Sequence, residues 1–195
     1  MEARQFRYSA AMKLVLCSAS PRRREFLEKL GIPFEQAPAH LDETQRPGEA
    51  PLAYALRLAV EKAATAERPG AVALAADTIV VADGEVLGKP RGRSEAAGML
   101  ARLSGIEHRV ITAVCVGRRA VAVETRVRFA RLSEAQIRWL AASGDGDDKA
   151  GAYAVQGLAG AFVERIDGSY TNVVGLPVAE TLQLLEEAGV ALPWT

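Results

Sequence analysis

The chain has 195 residues, 49% hydrophobic and 25% charged, a globular composition that excludes a largely disordered protein. Lys plus Arg and Asp plus Glu stand at 24 each, so the formal net charge is zero. A protein that wraps duplex nucleic acid carries a basic excess, and this balance argues against that role while leaving room for a small phosphorylated ligand. Residues 1–12 (MEARQFRYSAAM) lack the apolar core of a signal peptide and read as a flexible polar extension, with Met12 an alternative start. Residues 13–195 read as one domain. Cys17 and Cys115 sit in apolar runs and no CxxC is present, which suits buried reduced thiols. No run approaches the ~20 apolar residues of a membrane span, so a cytoplasmic protein without membrane or nucleic-acid partners is expected.

Lys13 to Ser18 has strand character, and Ser20-Pro21 marks the start of a helix to Leu30, stopped by Gly31. Phe26, Leu27 and Leu30 form its apolar face. Residues 32–37 suit a short strand and 38–50 a polar loop. The next helix runs from Pro51 to Glu67, with Leu52, Leu56, Ala59 and Ala63 as its expected apolar stripe. Residues 71–81 read as a buried strand interrupted at Asp77-Thr78, and Asp83-Gly84 as the turn of a hairpin with residues 85–87. Ser94 is the expected cap of a helix to Leu103. Strands follow over 109–116 and 121–129, the second alternating between apolar and charged residues. Ser133 and Gln136 fit a capping box for a helix to about Ala142. A Gly/Asp loop spans 143–151, and strands are expected over 161–166 and 170–174. Pro177 opens a last helix that ends before Gly189. Intermixed helices and strands define an α/β class, or an α+β variant with a mixed sheet.

Four groups of residues can carry chemistry. Ser18, Ser20, Arg22 and Arg23 lie at a strand-to-helix junction, where free N–H groups, hydroxyls and guanidinium groups make an anion site. The alternative is a capped helix with surface arginines. Asp77 follows six apolar residues, and a carboxylate placed there is either a general base or metal ligand, or a local cap. Ile79 stands where an aspartyl-phosphate phosphatase needs a second Asp, which argues against that mechanism. Lys62, Lys89 and the Asp42-Glu43 pair are candidate phosphate and metal ligands, although on their own they read more simply as a snorkelling lysine, a surface lysine and a solvated acidic loop. Gln156 carries an amide able to read a nucleobase edge. The Asp145, Asp147, Asp148 cluster fails the calcium-loop order because Lys149 occupies a ligand position. His40 and His108 have no third histidine for a zinc site.

The ordered set SASPRRREFLEKLGIPFE (18–35), LDE (41–43), RLAVEKA (57–63), ADTIVVADGEVLGKPR (76–91), DKAGAYAVQGLAGAFVERIDGSY (148–170) and NVVGLP (172–177) resembles the Maf family of nucleoside triphosphate pyrophosphatases. The resemblance implies a two-lobed α/β fold around a deep nucleotide cleft, usually as a homodimer. It implies cleavage of a nucleoside triphosphate to the monophosphate and pyrophosphate with a divalent cation, Mg²⁺ or Mn²⁺. Housekeeping removal of unwanted nucleotides and a part in septum formation are further implications. By position, Asp77 resembles the proton acceptor and Lys62 and Lys89 its catalytic companions. Ser18, Ser20, Arg22, Arg23, Lys62 and Lys89 resemble phosphate ligands, and Glu43 with Asp77 the metal-binding carboxylates. Arg22, Thr78 and Gln156 resemble the positions that select the base. The branch acting on dTTP and UTP matches best; the 7-methyl-GTP branch carries Glu where this chain has Gln156. A non-catalytic nucleotide-binding regulator is the competing class. Cys17 and Ala76 replace the more usual Ala and Gly, and the DGDD run before Lys149 is atypical.

Overall fold

The computed structural model describes residues 12–195. The expected extension over residues 1–11 lies outside the described residues, whereas Met12 packs partly buried against the core. Among the described residues the chain forms strands β1 (Lys13–Leu16), β2 (Phe34–Gln36), β3 (Ala71–Ala82), β4 (Glu85–Leu87), β5 (Glu107–Val116), β6 (Arg119–Phe129) and β7 (Val163–Asp167). The helices are α1 (Pro21–Lys29), α2 (Pro51–Ala64), α3 (Arg93–Leu103), α4 (Glu134–Ser143), α5 (Tyr170–Val174) and α6 (Val178–Glu187). One mixed sheet runs β2-β1-β3-β5-β6-β7, with β4 added to the far end of β3. The β2, β1 and β3 pairs are parallel and the rest antiparallel. This is the mixed α/β class expected.

Apolar side chains gather into three clusters. One joins β1, α1 and α6 through Leu16, Leu27, Leu74 and Leu185. A second, at the other end, joins the end of β3 to α3, α4 and residues 152–163 through Val80, Leu100, Leu103 and Phe129. The third fills the space between α2 and the opposite sheet face, and is built mainly of alanines: Ala55, Ala59, Ala63, Ala73, Ala75 and Ala113. Each fully buried leucine contributes about 2 kcal/mol of transfer free energy, and the small residues of the third cluster let α2 approach the sheet closely.

Local rules explain most boundaries. Pro21 starts α1 and Gly31, at φ +68°, ends it. Asp83 (φ 52°) and Gly84 (φ 80°) form the two-residue turn that pairs β3 with β4. The capping box is complete: Gln136 N–H donates to Ser133 Oγ at 3.3 Å and Ser133 N–H to Gln136 Oε1 at 2.7 Å.

Several expectations are corrected. β3 is continuous through Asp77 and Thr78, which keep register with Ala113 and Thr112 on β5. Gly92, not Ser94, caps α3. The buried stripe of α2 is Ala55, Leu58, Ala59, Lys62 and Ala63, and Leu52 is exposed. Residues 170–174 form a helix, not a strand. There Asn172, fully buried, accepts from Thr112 N–H at 3.1 Å and donates to Val110 O at 3.1 Å and Thr125 Oγ1 at 2.9 Å. Ser169 Oγ caps the turn through Asn172 N–H. These bonds outweigh the strand preference of β-branched residues.

His108 is buried beside Phe129 and hydrogen bonded through Nε2 to the Tyr153 hydroxyl at 2.8 Å. Burial pushes its imidazole down to about 4. The unfolded chain takes up this proton near pH 6.5 and the folded chain does not, so this contribution is complete above pH 6.5 and is lost as pH falls toward 4, by about 3 kcal/mol. Urea denaturation from pH 7.5 to 4.5 should show this loss, and His108→Gln should flatten the profile over that window. An unchanged slope in the variant would mean that other groups produce the pH dependence.

Candidate active site

The sheet itself creates the site. β1 follows β3 only as far as Leu16↔Leu74, and β4 begins at Val80↔Leu87. Between them, residues 75–79 of β3 have no strand neighbour on that edge among the described residues, while the other edge stays paired to β5. After Cys17 N–H donates to Leu74 O at 2.8 Å, the chain leaves the sheet and turns into α1. A cleft of about 540 Å³ opens in this gap. Neighbouring strand residues point to opposite sheet faces. At an open edge both faces are reachable, so Asp77 and Thr78 line the same cleft.

On one face of β3, Asp77 meets Lys62 from the buried stripe of α2, with Nζ 2.6 Å from Oδ1. The same ammonium lies 2.7 Å from Glu43 Oε1, on the loop before α2. Asp77 and Lys62 are only 7% and 8% exposed, so the contact is largely dry. Burial alone would raise the Glu43 carboxyl. The Lys62 hydrogen bond and the Lys62, Lys89 and Arg23 charges outweigh it and hold the group below the usual carboxylate range.

On the other face, Arg23 reaches across from the first turn of α1. Its Nη2 donates to Thr78 Oγ1 at 3.0 Å, Nη1 to Ser18 Oγ at 3.1 Å and Nε to Gly175 O at 2.8 Å. Burial lowers this guanidinium to about 10, against the opposing pull of the Asp77 charge. Arg22 Nε donates to Val174 O at 3.2 Å, and its terminal nitrogens have no hydrogen bond among the described residues. Thr78 in turn meets Thr112 Oγ1 at 3.0 Å, and Thr112 Oγ1 donates to Asn172 O at 2.9 Å. Ser20 occupies the cap position without a side-chain cap bond; its N–H donates to Ser18 Oγ at 3.2 Å.

The far wall carries Lys89 and residues 148–156. These two loops are tied by Gly151 N–H donating to Gly88 O at 3.0 Å. Gly151 sits at φ +70°, and a Cβ there would lie 3.1 Å from Val80, so both backbone and space require glycine. Lys89 and Gln156 are exposed to the cleft, and the Gln156 amide has no hydrogen bond among the described residues. Asp145 Oδ2 accepts from Leu158 N–H at 2.9 Å, so this part of the acidic loop braces the Gln156 turn.

Ten of the residues singled out from the sequence line this one cleft: Ser18, Ser20, Arg22, Arg23, Glu43, Lys62, Asp77, Thr78, Lys89 and Gln156. Asp42 does not; it is exposed, and its Oδ1 accepts from Thr44 N–H at 2.9 Å and Thr44 Oγ1 at 2.6 Å. The sequence reading missed Lys149, which also lines it, pairs with Asp148 and is largely buried. It also missed the support that Thr112 and Asn172 give to Thr78. Lys149 lies inside a motif already singled out, but its position in the cleft depends on the fold.

Glu43 and Asp77 offer hard oxygen donors to one point, where Lys62 now bridges them. No group of three or more His, Cys, Asp or Glu side chains able to hold a metal occurs among the described residues. Two carboxylates suit Mg²⁺ or Mn²⁺, which complete their shells with water and substrate phosphate oxygens.

The family model for Maf-like proteins matches residues 13–188. The chain belongs to the Maf family. Among Maf relatives, a protein of Anaeromyxobacter sp. (strain Fw109-5) is 54% identical over 94% of this chain and 93% of its own. One from Anaeromyxobacter dehalogenans (strain 2CP-1 / ATCC BAA-258) is 55% identical over 94% and 98%, and one from Myxococcus xanthus (strain DK1622) 53% identical over 93% and 95%. All three are named dTTP/UTP pyrophosphatase.

Removing the bridging ammonium of this Maf cleft leaves a buried carboxylate without its partner. Lys62→Met should therefore cost about 3 kcal/mol in urea denaturation, and adding Asp77→Asn should recover most of it. A Lys62→Met protein as stable as the parent would show that water replaces the ammonium freely.

Proposed function

We propose that this chain hydrolyses dTTP and UTP at the bond between the α- and β-phosphates, giving the nucleoside monophosphate and pyrophosphate. The observation that carries the reading is the junction of two charge groups in one cleft. Asp77, Lys62 and Glu43 meet on one face of β3, and Arg23, Ser18 and Thr78 meet on the other. The relatives named dTTP/UTP pyrophosphatase support the choice of substrate.

A triphosphate brings roughly four negative charges, and attack at phosphorus requires them to be offset. Arg22, Arg23, Lys89 and Lys62 supply cationic donors around the cleft. Ser18 Oγ and the fixed guanidinium of Arg23 orient phosphate oxygens, and the helix start behind them adds free N–H groups. Asp77 takes the proton from the attacking water, and Lys62 aligns its carboxylate. Glu43 and Asp77 would hold Mg²⁺ or Mn²⁺, which would offset the negative charge of the phosphate oxygens and of the departing pyrophosphate. Gln156 donates its NH₂ to O4 of thymine or uracil and accepts from N3–H, while Arg22 and Thr78 border the base.

Residues 13–195 act as one catalytic unit in this reading. No helix among the described residues is long and apolar enough to cross a membrane, and the zero net charge suits free nucleotides rather than nucleic acid. Residence in the cytoplasm and a homodimeric state complete the proposal, the latter resting on the family resemblance.

The test is a panel of nucleoside triphosphates with Mg²⁺ or Mn²⁺, with pyrophosphate and orthophosphate quantified separately. Pyrophosphate and monophosphate from dTTP and UTP are expected. Orthophosphate as first product would exclude the reaction, 7-methyl-GTP as main substrate would exclude the base assignment, and tight binding without turnover would indicate a regulator. Asp77→Asn should lower kcat by about 10²–10⁴-fold while nucleotide binding persists. Gln156→Glu should narrow the gap between pyrimidine and purine substrates, because a carboxylate cannot donate to O4.

A further inference from the structure

Glu43 lies in a loop without regular secondary structure, yet its carboxylate is held 2.7 Å from Lys62 Nζ. Beside it lies a second charge cluster, between one and two turns back along α2. Arg57 donates from Nε to Glu49 Oε1 at 2.6 Å and from Nη2 to Glu49 Oε2 at 2.8 Å, a two-point grip. The same Nη2 donates to the Thr44 carbonyl at 3.1 Å, and Nη1 to Glu61 Oε2 at 3.0 Å. Glu49 is engaged on its other side by Arg46 N–H at 3.0 Å. Tyr54, whose ring faces the Arg57 guanidinium at 5.5 Å, donates its hydroxyl to the Glu43 carbonyl at 2.7 Å. Arg57 and Glu49 are 12% and 11% exposed, unlike the surface ion pairs elsewhere in the chain. One side chain on α2 therefore grips the loop at residues 44 and 49, on the C-terminal side of Glu43.

We infer that Arg57, with Glu49 as its counter-ion, is a positioning residue that sets the Glu43 carboxylate opposite Asp77. Arg57 does not line the cleft; it acts by closing residues 44–49 onto the helix that also carries Lys62. Since α2 presents Arg57 and Lys62 in successive turns, the loop carboxylate and the buried ammonium are placed by one rigid element. Lysine cannot replace the planar fork, because a single ammonium cannot hold both Glu49 oxygens and the Thr44 carbonyl at once. The inference rests on the reading of Glu43 as a metal-holding carboxylate.

The test uses the full chain and reads metal affinity apart from turnover. Mn²⁺ binding is titrated calorimetrically in the presence of the non-hydrolysable α,β-imido analogue of UTP, and hydrogen exchange is followed over residues 43–49. Arg57→Lys and Glu49→Gln should each weaken Mn²⁺ binding by about 10–100-fold. They should speed exchange in the loop while leaving metal-free analogue binding within about twofold of the parent, a split that general destabilisation would not produce. Glu43→Gln should weaken Mn²⁺ binding similarly, and Arg57→Lys added to it should cost nothing more. Glu49→Gln, which keeps the side-chain shape, decides the matter if Arg57→Lys does not fold. Unchanged Mn²⁺ affinity in Arg57→Lys and Glu49→Gln, or losses that multiply with Glu43→Gln, would overturn the clamp while leaving Glu43 in its role. Unchanged affinity in Glu43→Gln itself would instead overturn the role of Glu43, and the clamp with it.

Discussion

The Lys62 ammonium joins three parts of the chain that share no sheet hydrogen bond: the middle of β3 through Asp77, the loop before α2 through Glu43, and α2 itself. A lysine in the buried stripe of a helix costs desolvation free energy, and two carboxylates at one point repel each other. Here each cost is offset by the other group. The alanine-rich packing of α2 on the sheet permits the short contact, because bulkier residues at Ala59, Ala63 or Ala75 would hold the helix farther from Asp77. The stability of that layer and the chemistry of the cleft thus depend on the same approach distance.

The second constraint is the interrupted edge of β3. Were β1 five residues longer, its backbone would cover residues 75–79 and the cleft would close. The chain instead leaves the sheet at Cys17, and the next residues build the start of α1 where Ser18 and Arg23 are needed. Thr78 then links this cationic wall to the interior through Thr112 and Asn172. The buried Asn172 explains why a run of β-branched residues is helical here: its amide satisfies groups on β5 and β6 that only a turn at residue 172 can reach.

Much of this was legible in the amino-acid sequence. Periodicity and caps located α1, α4, α6 and the β3–β4 hairpin, and the chemical types at 18–23, 43, 62, 77, 89 and 156 marked the residues that line the cleft. What was hidden follows from tertiary contacts. The rotation of α2 that exposes Leu52 and buries Lys62 depends on a charge partner distant in sequence. Asp77 and Thr78 looked like an interruption of a strand because single-sequence patterning cannot distinguish an interior strand with an open edge from a broken one. Lys149 and Arg57 sat in recognisable motifs, yet nothing local distinguishes a lysine facing a cleft or an arginine gripping a loop from solvated ones.

The open stretch of β3 also bears on how the molecule behaves at high concentration. Unpaired backbone at a strand edge is a template for a strand from another chain. Here the run without a strand neighbour on this edge covers residues 75–79, about 17 Å of strand, buried except for the half-buried Thr78. It is bounded at one end by β1 and at the other by β4, so it is a notch within the sheet rather than its margin. An extended segment from a neighbouring molecule would collide with Cys17 at one end or Leu87 at the other before aligning. The sheet can therefore leave this stretch without a strand partner, and set Asp77 and Thr78 beside the cleft, without offering a docking edge for aggregation.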